Sequence, residues 1–394
     1  MKENPKSLKT KKLSIAIIGA GPAGSMAAYL LAQNGHEVSI FEKKKHTLRK
    51  ICGEYLCPKG VELLQEMGLY EKLCGNFNEL SGMVLVSPKG TIIPTYFPQS
   101  HKKEKGVSVD RRIFDQGLLD LALEEGVLLF NGQAVLKVME ISQEKWQVHT
   151  DHEIHQFDFL IAADGRQSKV GHQLGHIKEI NTERAALHCF FPRKISRGQR
   201  LGEMHILGEG NYCGLDPITD DEVNFSIVCD SKRLKSESPK DIINSSIKNS
   251  PRLFSMFDLA DDNTDIRIVS CLKNKNNFVA GNNLAYVGDA SGFIDPLTGE
   301  GIFNALLSSK ILSDSLLTHH SLSTALKAYK RKKKKLSFQK SILNHFFQIV
   351  IRSPVLIGLI VHFLQKSQKR ADHFIGIVGN IHNPIKGFIK MLRA

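Results

Sequence analysis

Leu13-Ser14-Ile15-Ala16-Ile17-Ile18-Gly19-Ala20-Gly21-Pro22-Ala23-Gly24 runs from an apolar stretch, broken only by Ser14, into a glycine-rich turn. A short apolar run that stops at glycines predicts a buried parallel strand over 13–18. The Ala- and Leu-rich segment after it predicts a helix over 22–34, closed by Asn34-Gly35, and 36–41 predicts a second strand. In this β-α-β unit the turn lies at a strand's carboxyl end, where open α/β sheets bind ligands. Its glycines let backbone amides approach a pyrophosphate at a helix N-terminus, making Gly19, Gly21, Pro22, Ala23 and Gly24 candidate binding residues. Glu42 ends the second strand. A carboxylate there accepts hydrogen bonds from ribose hydroxyls and repels a 2′-phosphate, so a free 2′-hydroxyl is favoured.

Two later apolar runs also end in Gly and Asp. The first is Leu160-Ile161-Ala162-Ala163-Asp164-Gly165-Arg166-x-Ser168. The second begins Leu284-Ala285-Tyr286-Val287-Gly288-Asp289-Ala290-Ser291-Gly292 and continues through Pro296 to Gly299-Glu300-Gly301-Ile302. The first resembles the Asp-Gly segment of single-component aromatic hydroxylases and geranylgeranyl reductases, and the second is similar to their Gly-Asp segment at almost every position. The resemblance spans about 13–175 and 265–330 and is fainter between them. It implies FAD as cofactor, held by Asp164, Gly165, Gly288, Asp289, Pro296, Gly299, Gly301 and Ile302 as well as by the first turn. Asp289 would accept hydrogen bonds from ribityl hydroxyls. Gly299 and Gly301 would leave room for the isoalloxazine, and the helix from Ile302 would present amides to its N1–C2=O edge. Negative charge on the reduced ring is favoured at such a helix end.

Arg111, in Val109-Asp110-Arg111-Arg112-Ile113-Phe114-Asp115, matches an arginine that contacts the cofactor in this superfamily; Arg112 remains the alternative. Val135 would meet adenine through its backbone. Lys50-Ile51-Cys52-Gly53-Glu54 resembles a Cys-Gly segment lying beside the flavin in geranylgeranyl reductases. Cys52 is therefore either a substrate or flavin contact or a small buried hydrophobe. Asn211-Tyr212-Cys213-Gly214-Leu215-Asp216-Pro217 stands where lipid-reducing relatives carry Tyr-x-Trp-x-Phe-Pro, but it lacks the Trp and the Phe. That departure counts against isoprenoid reduction and against halogenation.

Outward from these motifs, the expected fold class is α/β. It comprises a Rossmann-like, glutathione-reductase-type FAD-binding domain, an inserted antiparallel-sheet substrate domain and C-terminal helices. The FAD-binding domain is expected to be discontinuous, over 10–82, 105–175 and 266–330, with the substrate domain over 83–104 and 176–265 and the extension over 331–394. A hairpin over 83–94, β-like runs between 182 and 231 and one helix over 239–258 support the division.

Net charge is +13, much of it in 2–12, 43–50 and 329–340, read as solvated faces. No nucleic-acid motif accompanies it, so nucleic acid is not an expected partner. The seven cysteines are scattered and the sixteen histidines show no ligand spacing, predicting reduced thiols and no metal. With no export signal at the N-terminus, the expectation is a cytoplasmic protein. The tail over 346–364 is apolar but holds Arg352, Pro354 and His362, a poor membrane span. It either packs over the substrate cavity or, with its basic flanks, lies against the inner face of an anionic membrane.

The functional expectation is an FAD-dependent oxidoreductase, reduced transiently by NAD(P)H, acting on an apolar or aromatic small molecule. A monooxygenase is placed slightly ahead of a geranylgeranyl reductase-like flavin reductase of alkene bonds. A non-catalytic, membrane-associated flavin-binding protein is the alternative of another class.

Overall fold

Strand Ser14–Ile18 pairs in parallel with Glu37–Glu42 on one side and Phe159–Ala162 on the other. Leu284–Tyr286 and Leu128–Asn131 extend this sheet in parallel, and Ala280–Gly281 adds an antiparallel edge, giving six strands. The computed structural model describes residues 11–46, 50, 52, 54–98, 104–142, 145–180, 183–192, 200–270, 274–293, 297 and 299–394. Alternation along the strands assigns their two faces. Ile15, Ile17, Ile40, Phe159 and Ile161 pack under helices Pro22–Gln33, Arg111–Glu124 and Gly301–Thr318. Ala16, Ile18, Phe41, Leu160 and Ala162 pack under the antiparallel meander Val135–Ser142, Lys145–Thr150 and Ile154–Phe157. Both faces are dry, which is why the strands read as continuous apolar runs.

A second sheet has seven strands in the order Arg267–Ser270, Arg184–Pro192, Glu222–Asp230, Asn211–Pro217, Leu201–Gly208, Gly82–Val86 and Ile92–Tyr96. Its neighbours are antiparallel except Leu201–Gly208 with Gly82–Val86, a parallel pair the sequence did not suggest. One face, with Cys189, Leu215, Phe225 and Ile227, is buried under helices Pro239–Lys248 and Pro251–Met256. The other carries Ala186, His188, Met204, Tyr212 and Val228 and looks into a cavity.

Several expectations need correction. The single helix over 239–258 is two, because Ser250 caps a new start at Pro251, whose missing N–H cannot continue the first. The first-domain segment expected over 266–330 starts too early: Arg267–Ser270 still pairs with Arg184–Pro192, and the six-stranded sheet resumes at Ala280. The tail boundary at 331 falls inside one helix, Leu322–Arg352, whose basic run is made of good helix formers. A small sheet of Tyr55–Leu56, Gly106–Val109 and Phe77–Leu80 was too short and mixed in pattern to foresee.

Beyond Leu322–Arg352 come helices Pro354–Gln365, Gln368–Val378 and Pro384–Arg393. Phe347 and Ile351 pack on Tyr212 and Val228, while Leu364, Ala371 and Met391 pack on Ile93, so the tail covers the seven-stranded sheet. Among the described residues no single helix is long and apolar enough to cross a membrane.

Candidate functional site

Strand ends of the six-stranded sheet, one face of the seven-stranded sheet and the inner side of helix Leu322–Arg352 enclose one cavity of about 980 Å³. Gly19, Gly21, Pro22 and Ala23 line it, as do Glu42, Arg111, Val135, Asp164 and Gly165. Gly288, Asp289, Gly299, Gly301, Ile302 and Cys52 line it as well. Gly24 does not; it lies beneath the turn, where a Cβ would stand 1.9 Å from the Gly19 carbonyl oxygen. Gly19 itself has φ +106°, and a side chain there would meet Ala163 O at 2.6 Å. The turn is therefore drawn tight against two strand ends, and only glycine fits at both places. Pro296 and Gly53 lie outside the described residues.

Glu42 Oε2 accepts a hydrogen bond from the Ala20 amide at 3.0 Å, which ties the second strand's end to the turn. Asp164 Oδ2 accepts from the Val170 amide at 3.1 Å, whereas its Oδ1 is buried without a hydrogen-bond partner. Burial pushes the Asp164 carboxyl up, against hydrogen bonds from Ser168 and nearby amides. Asp289 is also pushed up by burial, against the pull of Arg111, Arg166, Lys333 and Lys50. No atom lies within 4 Å of where a Cβ would be on Gly165 or Gly301. One orphaned carboxylate oxygen, the start of helix Pro22–Gln33 and open glycines make a cradle suited to hydroxyls, phosphate oxygens and a flat ring.

Of the two arginines, Arg111 reaches the cavity. It is bound through Nε and Nη2 to both oxygens of Asp115 at 2.7 and 2.9 Å, and Lys50 Nζ lies 3.1 Å from the same carboxylate. Arg112 is held on the helix-capping Asp110, away from the cavity. The Cys52 carbonyl accepts from Asn224 Nδ2 at 2.8 Å, and the same amide shares a 2.7 Å hydrogen bond with His188 Nε2. Burial pushes the Cys52 thiol up against the charge of Arg111, so it is a poor thiolate.

Three cavity residues escaped the sequence reading. Asp216 is buried on strand Asn211–Pro217, and its Oδ1 has no hydrogen-bond partner. Burial and then the neighbouring Glu54 carboxylate push it up to about 8. Lys333 is buried facing Asp289; burial and Lys340 bring it down to about 8, with Asp289 opposing. Lys340 donates to Asn304 Oδ1 and lies 3.4 Å from Glu300 Oε2. The legible signal was the helical spacing of Leu326, Tyr329, Lys333, Leu336, Lys340 and Asn344, which is one face.

Comparison with known proteins agrees with this geometry. A family model described as an FAD binding domain matches residues 12–337. Conditioned medium factor receptor 1 of Dictyostelium discoideum is 26% identical over 77% of this chain, which spans 63% of that protein. Digeranylgeranylglycerophospholipid reductase 1 of Methanococcoides burtonii is 28% identical, covering 74% of this chain and 71% of its own length. Among solved structures, the flavin-dependent halogenase CmlS superposes with a TM-score of 0.80 at 19% identity, over 97% of this chain and 77% of that one. The flavin-dependent brominase Bmp2 gives 0.79 at 18% identity over 97% of each chain. At these identities the two structures speak for the fold alone.

Proposed function

The chain belongs to the FAD-binding-domain family, and from that premise we propose that this FAD-dependent oxidoreductase saturates a carbon–carbon double bond in an apolar, lipid-like substrate. The observation that carries this reading is Asp216, a buried carboxyl group on the cavity wall that burial pushes up to about 8 and whose Oδ1 is unpaired. Tyr55 links it to the ring-edge segment. A Cβ on Gly299 would lie 2.9 Å from the Tyr55 ring, and the Tyr55 phenol is pushed up by burial and then by Cys57, Asp216 and Glu300.

Amides of Gly21 and Ala23 would face the FAD pyrophosphate, Glu42 the ribose, Val135 adenine, Asp289 the ribityl chain and 299–302 the ring edge. Reduced FAD supplies a hydride when bound, and NAD(P)H is the proposed transient donor that restores it. Asp216 holds the proton needed at the adjacent carbon and regains it from water. Met204, Tyr212, Val228, Val269 and Leu297 provide an apolar wall for the substrate chain. Relatives named as digeranylgeranylglycerophospholipid reductases support a substrate of isoprenoid type.

Hydroxylation of an aromatic substrate is the second reading. It is favoured by the polar stretch of cavity wall that His188 and Ser226 form. The test is anaerobic reduction with NADH or NADPH, then addition of geranylgeraniol or a phenol. Flavin reoxidation by geranylgeraniol without oxygen supports the reductase. Strict dependence on oxygen, with an oxygen atom added to the product, overturns it in favour of the hydroxylase.

A further inference from the structure

Helix Leu322–Arg352 has two opposite faces. Lys333, Leu336, Lys340 and Asn344 look into the cavity, whereas Phe338, Ile342, Phe346 and Ile349 lie exposed on the outside at helical spacing. The helices that follow repeat the arrangement. Leu364 is buried while Val355 and Leu359 are exposed; Gly387 and Met391 are buried while Ile385, Phe388, Ile389 and Leu392 are exposed. Phe338, Val355 and Ile385 are 69%, 71% and 73% accessible, far beyond the scattered exposure of single apolar residues on an ordinary surface.

The same segment, 322–394, holds fifteen lysines and arginines and one acidic residue, Asp372. In the last helix Lys386, Lys390 and Arg393 stand beside the apolar stripe. A strong apolar face flanked by cations is the composition of a helix lying in a lipid headgroup region.

We propose that the outer face of these tail helices docks on an anionic lipid bilayer, with helix Leu322–Arg352 as the wall shared by membrane and cavity. Charge decides between occupants. A second copy on this face would oppose cation to cation, whereas an anionic bilayer neutralises the cations and buries the stripe. Contact is along the surface rather than across it, because no single helix among the described residues is long and apolar enough to cross, and the inner face of Leu322–Arg352 is taken up by the cavity. An apolar substrate drawn from that bilayer would then have one helix to pass, which fits the substrate class proposed above without depending on the redox outcome.

The test floats the FAD-loaded full chain through a density gradient with vesicles of phosphatidylglycerol and phosphatidylcholine, or of phosphatidylcholine alone. Partitioning about tenfold or more stronger on the anionic vesicles, and weakened by salt, is expected. Ile385→Asp with Phe388→Asp, and separately Phe338→Asp with Ile342→Asp, each lower it at least about tenfold while flavin content and thermal midpoint stay put. Equal binding to neutral vesicles, or unchanged binding by both variants, overturns the proposal. So does a dimer in solution that the same substitutions dissolve, which would assign the face to a second copy. All these readouts use the resting protein, so a failed alkene assay leaves them interpretable.

Discussion

Lys340 Nζ lies 3.4 Å from Glu300 Oε2, and Asn380 Nδ2 donates to the other oxygen of the same carboxylate. Two parts of the tail, more than thirty residues apart, therefore hold the residue that caps helix Gly301–Thr318. The tail is thereby tied to the segment 299–301.

Because both partners of the Lys340–Glu300 pair are largely buried, Lys340→Ala leaves a carboxylate poorly compensated. Urea unfolding should show a loss of about 1.5–3 kcal/mol, typical of a hydrogen bond to a charged group. Lys340→Arg should recover part of it. A loss within experimental error would mean that the tail rests on the site without supporting it.

Gly24→Ala places a methyl group 1.9 Å from the Gly19 carbonyl oxygen, contact that backbone alone can relieve. The turn must open, and the amides proposed to face the pyrophosphate move with it. Overpacking of this kind costs about 1–3 kcal/mol or more. The expected protein is folded by circular dichroism but purifies without yellow colour, and it binds added FAD at least about tenfold more weakly, the affinity equivalent of 1.4 kcal/mol.

Lys333→Met should move apoprotein stability and cofactor binding in opposite directions. The buried ammonium has its pKa lowered to about 8, so folding is penalised while it stays charged. The stability tied to this group is full only above the unfolded value of ~10.4 and is lost as pH falls through about 8. At neutral pH the methionine variant of the apoprotein should therefore gain on the order of 3 kcal/mol. Its FAD affinity should fall, because a cation facing Asp289 in the proposed cofactor cavity is gone. Calorimetric titration with FAD, beside denaturant unfolding without it, separates the two.

The nucleotide half was legible because its determinants are local. The glycines of 19–24, the acid at Glu42 and the Gly-Asp pair at 288–289 each sit where an apolar strand stops, and strand order then brings them together. Asp216 was not legible. Asp-Pro reads as a turn, and its burial comes from strands Leu201–Gly208 and Glu222–Asp230, which pair on either side of it. Lys333 was hidden by its neighbours, since a run of four lysines reads as a solvated face until the helix register turns one of them inward. The division into units failed at Arg267–Ser270 for a related reason. A four-residue strand has little pattern of its own, and pairing with Arg184–Pro192 decides where it belongs.

The pH dependence of Asp216 gives the most direct check on the acid. Its folded pKa, raised to about 8, exceeds the unfolded value of ~3.9. Below pH ~4 both states are protonated and this group costs the fold nothing. As pH rises, the unfolded chain releases the proton while the folded chain keeps it, so stability falls by up to ~1.4 kcal/mol per pH unit until about pH 8. Asp216→Asn removes that slope. The variant should match the wild type near pH 4 and exceed it near pH 8 in urea unfolding. Its anaerobic alkene step should slow by roughly 10²-fold or more, with reduction by NAD(P)H unaffected. Wild-type stability that is flat across this window, or an alkene step indifferent to the substitution, would remove Asp216 from the chemistry and leave His188 and Ser226 on the cavity wall to orient a substrate for oxygenation.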